Sequence, residues 1–121
     1  MDPVGKRGED AACLWLASKG HTVLERNWRG GRQEIDVISF DAQGLHFVEV
    51  KTRKAPVTAD PLVNITPAKQ KNLVKAALKY LHSADRRFAD AEVHFDVITV
   101  VLKENTTYIQ YYPQAFIPIY D

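Results

Sequence analysis

Phe47-Val48-Glu49-Val50-Lys51 places a carboxylate and an ammonium two residues apart at the end of an otherwise apolar run. In a β-strand, successive side chains alternate between faces, so Glu49 and Lys51 continue the face begun by Leu45 and Phe47. Charges that continue a core face lose solvation unless something compensates them, and a metal ion and a phosphate would do so. Asp36, thirteen residues before Glu49, ends the triplet Glu34-Ile35-Asp36 in a second short apolar segment. An Asp followed one hairpin later by Glu-x-Lys is the pattern of a metal-dependent phosphodiesterase site. Magnesium and manganese take one or two such carboxylates, with waters and phosphate oxygens completing the shell. Asp36 and Glu49 are the candidate metal ligands, and the Val50 carbonyl is a further one. Lys51 is placed to orient an attacking water and to offset charge on the transition state. The alternative is a surface hairpin whose Glu and Lys merely pair, worth about 0–1 kcal/mol.

Two polar residues interrupt apolar stripes in the same direction. Glu9 lies three and seven positions before Ala12 and Leu16, on an apolar helical stripe. It is either an additional acid of the site or a first-turn carboxylate favoured by the helix dipole. Gln70 stands in a similar relation to Leu73, Val74, Ala77 and Leu81, and is either a site residue or part of a solvated first turn. Asp96 shares a strand face with Ile98 and Val100; it either hydrogen-bonds within the core or supports the site from a neighbouring strand. His21, His46, His82 and His94 have no metal-ligand spacing and are expected at the surface or half-buried. Ser18, Ser39 and Ser83 lack a Gly-x-Ser-x-Gly context. Gly30-Gly31 lacks the following Lys-Ser/Thr of a P-loop.

The elements that must position these groups follow from periodicity. Residues 5–19 read as a helix ended by Gly20, with Ala12, Trp15, Leu16 and Lys19 as its stripe and Cys13, Leu14 and Ala17 widening it. A short strand at Val23-Leu24 leads to Asn27-Trp28-Arg29 and a flexible Gly30-Gly31 pair. Residues 33–40 and 44–52 form a hairpin about Asp41-Ala42-Gln43-Gly44. Residues 53–65 read as a loop. Thr66 caps a helix that begins at Pro67 and runs to about His82, with Leu73, Val74, Ala77, Leu78 and Leu81 facing the core. The polar segment 83–90 links it to a strand at Val93–Leu102, and after a turn at Asn105 and Thr106 a last strand runs from Thr107 to Tyr112. The expected architecture is α/β, a central mixed sheet flanked by helices in the order α-β-β-β-α-β-β.

The 121 residues are expected to form a single domain, 1–121. No apolar run approaches the roughly 20 residues needed to cross a bilayer, and Asp2, Lys6, Arg7, Glu9 and Asp10 leave no room for a signal-peptide core. No membrane association is expected, and the cytoplasm is the expected compartment. Cys13 is the sole cysteine, which excludes an intrachain disulfide and a cysteine-based zinc site. A formal charge of +1 argues against coating nucleic acid by bulk electrostatics. The cations are clustered instead: Arg26, Arg29 and Arg32 before the Asp36 strand, Lys51, Arg53 and Lys54 after Glu49, and Lys69, Lys71, Lys75 and Lys79 on the second helix. Arg29, Arg32, Arg53, Lys69 and Gln70 are the candidate contacts to nucleic acid, although the bland reading of the helix lysines is a solvated face.

Glu9, Asp36, Glu49-Val50-Lys51 and the hairpin that carries them resemble the restriction-endonuclease-like, or PD-(D/E)xK, nuclease superfamily. Within it the chain resembles the bacterial YraN family, through Gly8-Glu9-Asp10-Ala11-Ala12, Gly20, Arg26-Asn27-Trp28-Arg29, Glu34-Ile35-Asp36-Val37-Ile38, Phe47-Val48-Glu49-Val50-Lys51-Thr52-Arg53, Lys69-Gln70 and Phe95-Asp96-Val97. The resemblance implies an endonuclease-like fold and magnesium- or manganese-dependent phosphodiester hydrolysis. The chain is similar in its site pattern to archaeal-type Holliday-junction resolvases, which implies Asp36 and Glu49 as ligands, Lys51 as the catalytic lysine and Glu9 as a supporting acid. Ile35 replaces the superfamily's nominal Pro, and Gln33 stands where the family usually has Gly. The expected substrate is structured or branched DNA, with DNA preferred over RNA. The small surface points to a homodimer or to recognition of shape rather than sequence. The rivals are a nucleic-acid-binding module without turnover and an accessory of protein assembly.

Overall fold

Alternating apolar residues in the middle of the chain build the centre of a five-stranded sheet. The computed structural model describes residues 3–56, 65–83 and 88–118. The elements are α1 (Pro3–Ser18), β1 (Thr22–Gly30), β2 (Gln33–Asp41), β3 (Gly44–Lys54), α2 (Pro67–Ser83), β4 (Val93–Lys103) and β5 (Thr106–Tyr112). The strands lie side by side in chain order, antiparallel except for the parallel β3–β4 pair. A parallel pair needs a crossover, and α2 lies within that connection. The expected α/β architecture and element order are therefore those observed. The expected loop at 53–65 and linker at 83–90 fall partly outside the described residues, as do Ile119 and Tyr120.

Each face of the sheet carries its own apolar cluster. On one face, Leu73, Val74, Ala76, Ala77 and Tyr80 of α2 pack on Ile38, Leu45, Phe47, Phe95 and Val97. On the other, Ala12 and Leu16 of α1 pack on Val37, Val48, Ile98 and Val100. The buried stripe of α2 runs 73–77–80 rather than through Leu78, which is exposed because it lies off that stripe; Leu14 is likewise exposed. Tyr80, which was not among the residues expected to face the core, is buried.

Local chemistry sets the ends of both helices. Gly20 has φ +92°, and His21 N–H donates to the Leu16 carbonyl (3.0 Å) while Gly20 N–H donates to that of Ala17 (3.2 Å). This is a Schellman closure, and it fixes His21 just beyond the helix. Thr66 Oγ1 accepts from Lys69 N–H (3.2 Å) at the start of α2, as expected of its cap. β1 departs from expectation: it is one strand from Thr22 to Gly30, not a short strand followed by a flexible segment. As an edge strand with Glu25, Arg26 and Asn27 at its centre, it lacks the apolar alternation by which it would have been recognised.

Candidate functional site

The sheet splits where the candidate carboxylates lie. β2 stays paired with β1 down to Gly30↔Gln33, and β3 stays paired with β4 up to Lys54↔Leu102. Between β2 and β3, however, the register runs from Asp41↔Gly44 only to Val37↔Val48. The next positions along are Asp36 and Glu49. Past the last backbone pair, the Val50 N–H donates to Asp36 Oδ2 (2.9 Å), so a carboxylate takes a donor that the parting strand has left.

A second irregularity faces it on β1. Asn27 lies between the pairs Arg26↔Val37 and Trp28↔Ile35, opposite Asp36, and has φ +51°. Val37 packs in the α1-side cluster and Ile35 in the α2-side cluster, although they are two residues apart. Likewise Arg26 reaches Asp10 of α1 (2.8 Å), while Trp28 meets Tyr80 of α2 edge-on, ring centroids 5.3 Å apart. Both strands thus change face together across Asn27 and Asp36. Asn is among the few residues that enter left-handed backbone at low cost. Its Nδ2 also donates to Glu9 Oε1 (3.0 Å). The motif Arg26-Asn27-Trp28-Arg29 assigns Asn27 no role of its own; an Asn in the middle of a strand was the available signal. Asn27→Gly is expected to leave thermal stability within about 0.5 kcal/mol, whereas Asn27→Val loses about 1–2 kcal/mol from the left-handed strain of a branched residue. Equal melting curves for the two variants would contradict the strain.

Burial, and then the neighbouring Glu49 carboxylate, raise the Asp36 carboxyl to about 7; the Val50 N–H and the Lys69 ammonium oppose them. Two carboxylates sharing a half-buried site cannot both ionise cheaply. Glu49 Oε2 is buried and accepts no hydrogen bond, yet Lys69 Nζ stands 3.2 Å away. The pair is an ion contact without hydrogen-bond alignment. Lys51 follows Glu49 by two positions on β3 and is half-buried. Val50 turns its side chain into the α1-side cluster.

Glu9 is bound to Asn27 and lies 3.8 Å from Arg26, one residue removed from the carboxylate pair. Gln70 Nε2 donates to the Ile65 carbonyl (2.9 Å), closing the start of α2. Lys69, expected as a phosphate contact, sits on Glu49. Arg29, Arg32 and Arg53 are exposed at the end of the sheet where β2 and β3 part, and Arg29 makes a 3.5 Å contact with Glu34. Gln33 Oε1 accepts from Lys79 Nζ (2.6 Å), so its side chain is held toward α2.

The histidines overturn their expected placement. His21, His46 and His94 are buried together. Linear spacing missed them because β-sheet register assembles them: Ser39, His46 and His94 lie in one row across β2, β3 and β4. The His46 and His94 rings stack with centroids 4.7 Å apart. Asp96 belongs here, not with Asp36: it accepts from the Tyr111 hydroxyl and the Gln114 N–H (2.9 Å) and pairs with His46 Nδ1 (2.6 Å). Burial pushes its carboxyl up, but those three partners outweigh it and hold the carboxyl below the usual range.

A family model described as "Uncharacterised protein family UPF0102" matches residues 8–100. A UPF0102 protein of Lawsonia intracellularis is 41% identical over 113 residues, covering 93% of this chain and 84% of that protein. A UPF0102 protein of Chlorobium limicola is 43% identical over 98 residues, covering 81% and 74% respectively. Among solved structures, the fold is similar to that of Hjc of Archaeoglobus fulgidus, a Holliday junction resolvase from an archaeal hyperthermophile. The TM-score is 0.51 at 16% identity, over 89% of this chain and 75% of that one.

Proposed function

The chain belongs to the UPF0102 family, with the fold of restriction-endonuclease-like nucleases, and from that premise we propose that it is a magnesium- or manganese-dependent endonuclease acting on structured or branched DNA. The observation that carries this is the split between β2 and β3, which brings an Asp36 carboxyl raised to about 7 against a Glu49 whose buried Oε2 accepts no hydrogen bond. Such a pair is poorly satisfied by protein alone, and hard oxygen donors of this kind fit magnesium or manganese. Asp36 and Glu49 would hold the ion, with the Val50 carbonyl as a further donor. When bound, it supplies a Lewis acid and an acidified water.

The chain's own residues do the rest. Lys51, on the Glu49 face of β3, orients the attacking water and offsets charge on the phosphoryl oxygens. Lys69, ion-paired with Glu49, holds that carboxylate in place, and with an ion on Glu49 its ammonium would be available to the phosphate backbone. Glu9 acts through Asn27, fixing the β1 kink beside Asp36. Arg29, Arg32 and Arg53 grip the phosphates flanking the split. With a formal charge of +1 the protein recognises shape through these local cations, and a second copy would span both arms of a branch. The protein of similar fold is a junction resolvase, so four-way DNA is, by fold analogy, the first substrate to test.

Labelled four-way, flap, duplex and single-stranded substrates incubated with Mn²⁺ test the proposal: cleavage of branched DNA ahead of duplex is expected. Arg29→Ala and Arg53→Ala are each expected to weaken branched-DNA binding and lower its salt slope by about one phosphate contact. Tight binding of branched DNA with no cleavage under any divalent ion would leave a binding module instead. Absence of binding to DNA and RNA at low salt would make protein assembly the better reading.

A further inference from the structure

We propose that His21, Asp41 and His46 form a second metal site, for a borderline divalent transition ion of which zinc is the best fit, independent of the Asp36–Glu49 pair. One nitrogen or oxygen from each residue lies within 4.8 Å of the others. His21 Nε2 is 3.2 Å from Asp41 Oδ2, and His46 Nε2 is 2.8 Å from Asp41 Oδ1. The Asp41 carboxylate thus bridges the two imidazoles, one oxygen to each, and an ion entering between them would take one of those oxygens with both Nε2 atoms; donors at zinc-binding distance on a tetrahedron stand about 3.3 Å apart.

The surroundings of the imidazoles distinguish this cluster from a chance meeting of polar groups. Both turn Nε2 toward Asp41, and both have the opposite nitrogen held. His46 Nδ1 pairs with the Asp96 carboxylate (2.6 Å), and His21 Nδ1 meets the buried Ser39 hydroxyl (2.9 Å). A metal-binding histidine characteristically has its second nitrogen fixed by a carboxylate or other acceptor, which sets the ring's orientation. Asp96 is itself anchored by Tyr111 and the Gln114 backbone, so the support extends a further layer.

Donor chemistry and placement fit as well. Asp41, though neither histidine, lines a cavity of about 400 Å³ with Gly20, Thr22, Leu24, Phe40 and Phe88. The donors are two imidazoles and one carboxylate, a set that suits zinc rather than magnesium. His21 is fixed by the closure of α1, and Asp41 and His46 flank the β2–β3 turn. An ion there would clamp the end of α1 to the hairpin. Asp36 and Asp41 lie five positions apart on β2, roughly 16 Å by strand geometry, so the two sites load separately.

Co²⁺ is the probe, since its visible absorption reports both occupancy and coordination number. The chain, stripped with chelator and carrying Asp36→Asn and Glu49→Gln, is titrated with Co²⁺, then with competing Zn²⁺ or Mg²⁺. One equivalent with the intense bands of four-coordinate cobalt is expected, displaced by Zn²⁺ and not by Mg²⁺. Adding His46→Asn is expected to weaken uptake at least tenfold. Because His46 is buried and its replacement can unfold the chain, His21→Asn is titrated in parallel, with the same tenfold loss expected. No Co²⁺ uptake by the double variant, or uptake undiminished by the histidine substitutions, would overturn the site.

Discussion

Asp36→Asn is expected to remove most divalent binding at the β2–β3 split while making the metal-free protein more stable at pH 8. The two effects share one cause. The carboxyl is raised to about 7 in the folded chain from its ordinary value of 3.8, chiefly by burial and then by Glu49. Between those values the folded state keeps a proton that the unfolded state has released. The stabilisation is therefore fully present below about 4, falls as pH rises, and is lost above about 7. An asparagine can still accept from the Val50 N–H and adds a donor for Glu49, without the charge. Its expected gain at pH 8 is on the order of 1–3 kcal/mol, with a flatter pH dependence of melting between pH 4 and 7 than in the wild type. Calorimetry with Mn²⁺ and thermal melts across that window measure both. A variant that binds Mn²⁺ normally, or melts lower at pH 8, would show Asp36 to be a structural partner of Val50 alone.

Lys51→Ala should lower single-turnover cleavage of branched DNA by about 10²–10³-fold, the usual cost of removing one group aimed at developing charge. Affinity for the same DNA, measured in Ca²⁺, should change little, because a single lysine accounts for about one phosphate contact in the salt slope. Lys51→Arg is not expected to restore activity, since the planar guanidinium presents its donors in a different geometry. Affinity and cleavage falling in parallel would make Lys51 a backbone contact and not a catalytic one.

The fold was legible where burial is two-sided or periodic. β3 and β4 read as apolar runs because they lie at the sheet's centre, and Gly20 and Thr66 marked helix ends through local hydrogen bonding that needs no tertiary context. β1 was not legible, since an edge strand kinked at Asn27 spends its polar residues on contacts with α1 that have no sequence period. The carboxylate pair was legible because two charges interrupt apolar faces one hairpin apart. What the spacing did not convey is that backbone pairing ends there, or that Lys69, placed by its sequence among solvent-facing lysines, folds back onto Glu49. The His21–Asp41–His46 cluster was hidden for a related reason: register across strands, and not distance along the chain, brings its members together.

Anomalous diffraction at the manganese edge, from crystals soaked in Mn²⁺, addresses the carboxylate centre most directly. The expected result is a peak between the side chains of Asp36 and Glu49, with the Lys69 ammonium withdrawn from Glu49 and Lys51 facing the ion's open side. The contradicting result is an Mn²⁺-saturated crystal with no peak at that position and Lys69 still paired with Glu49.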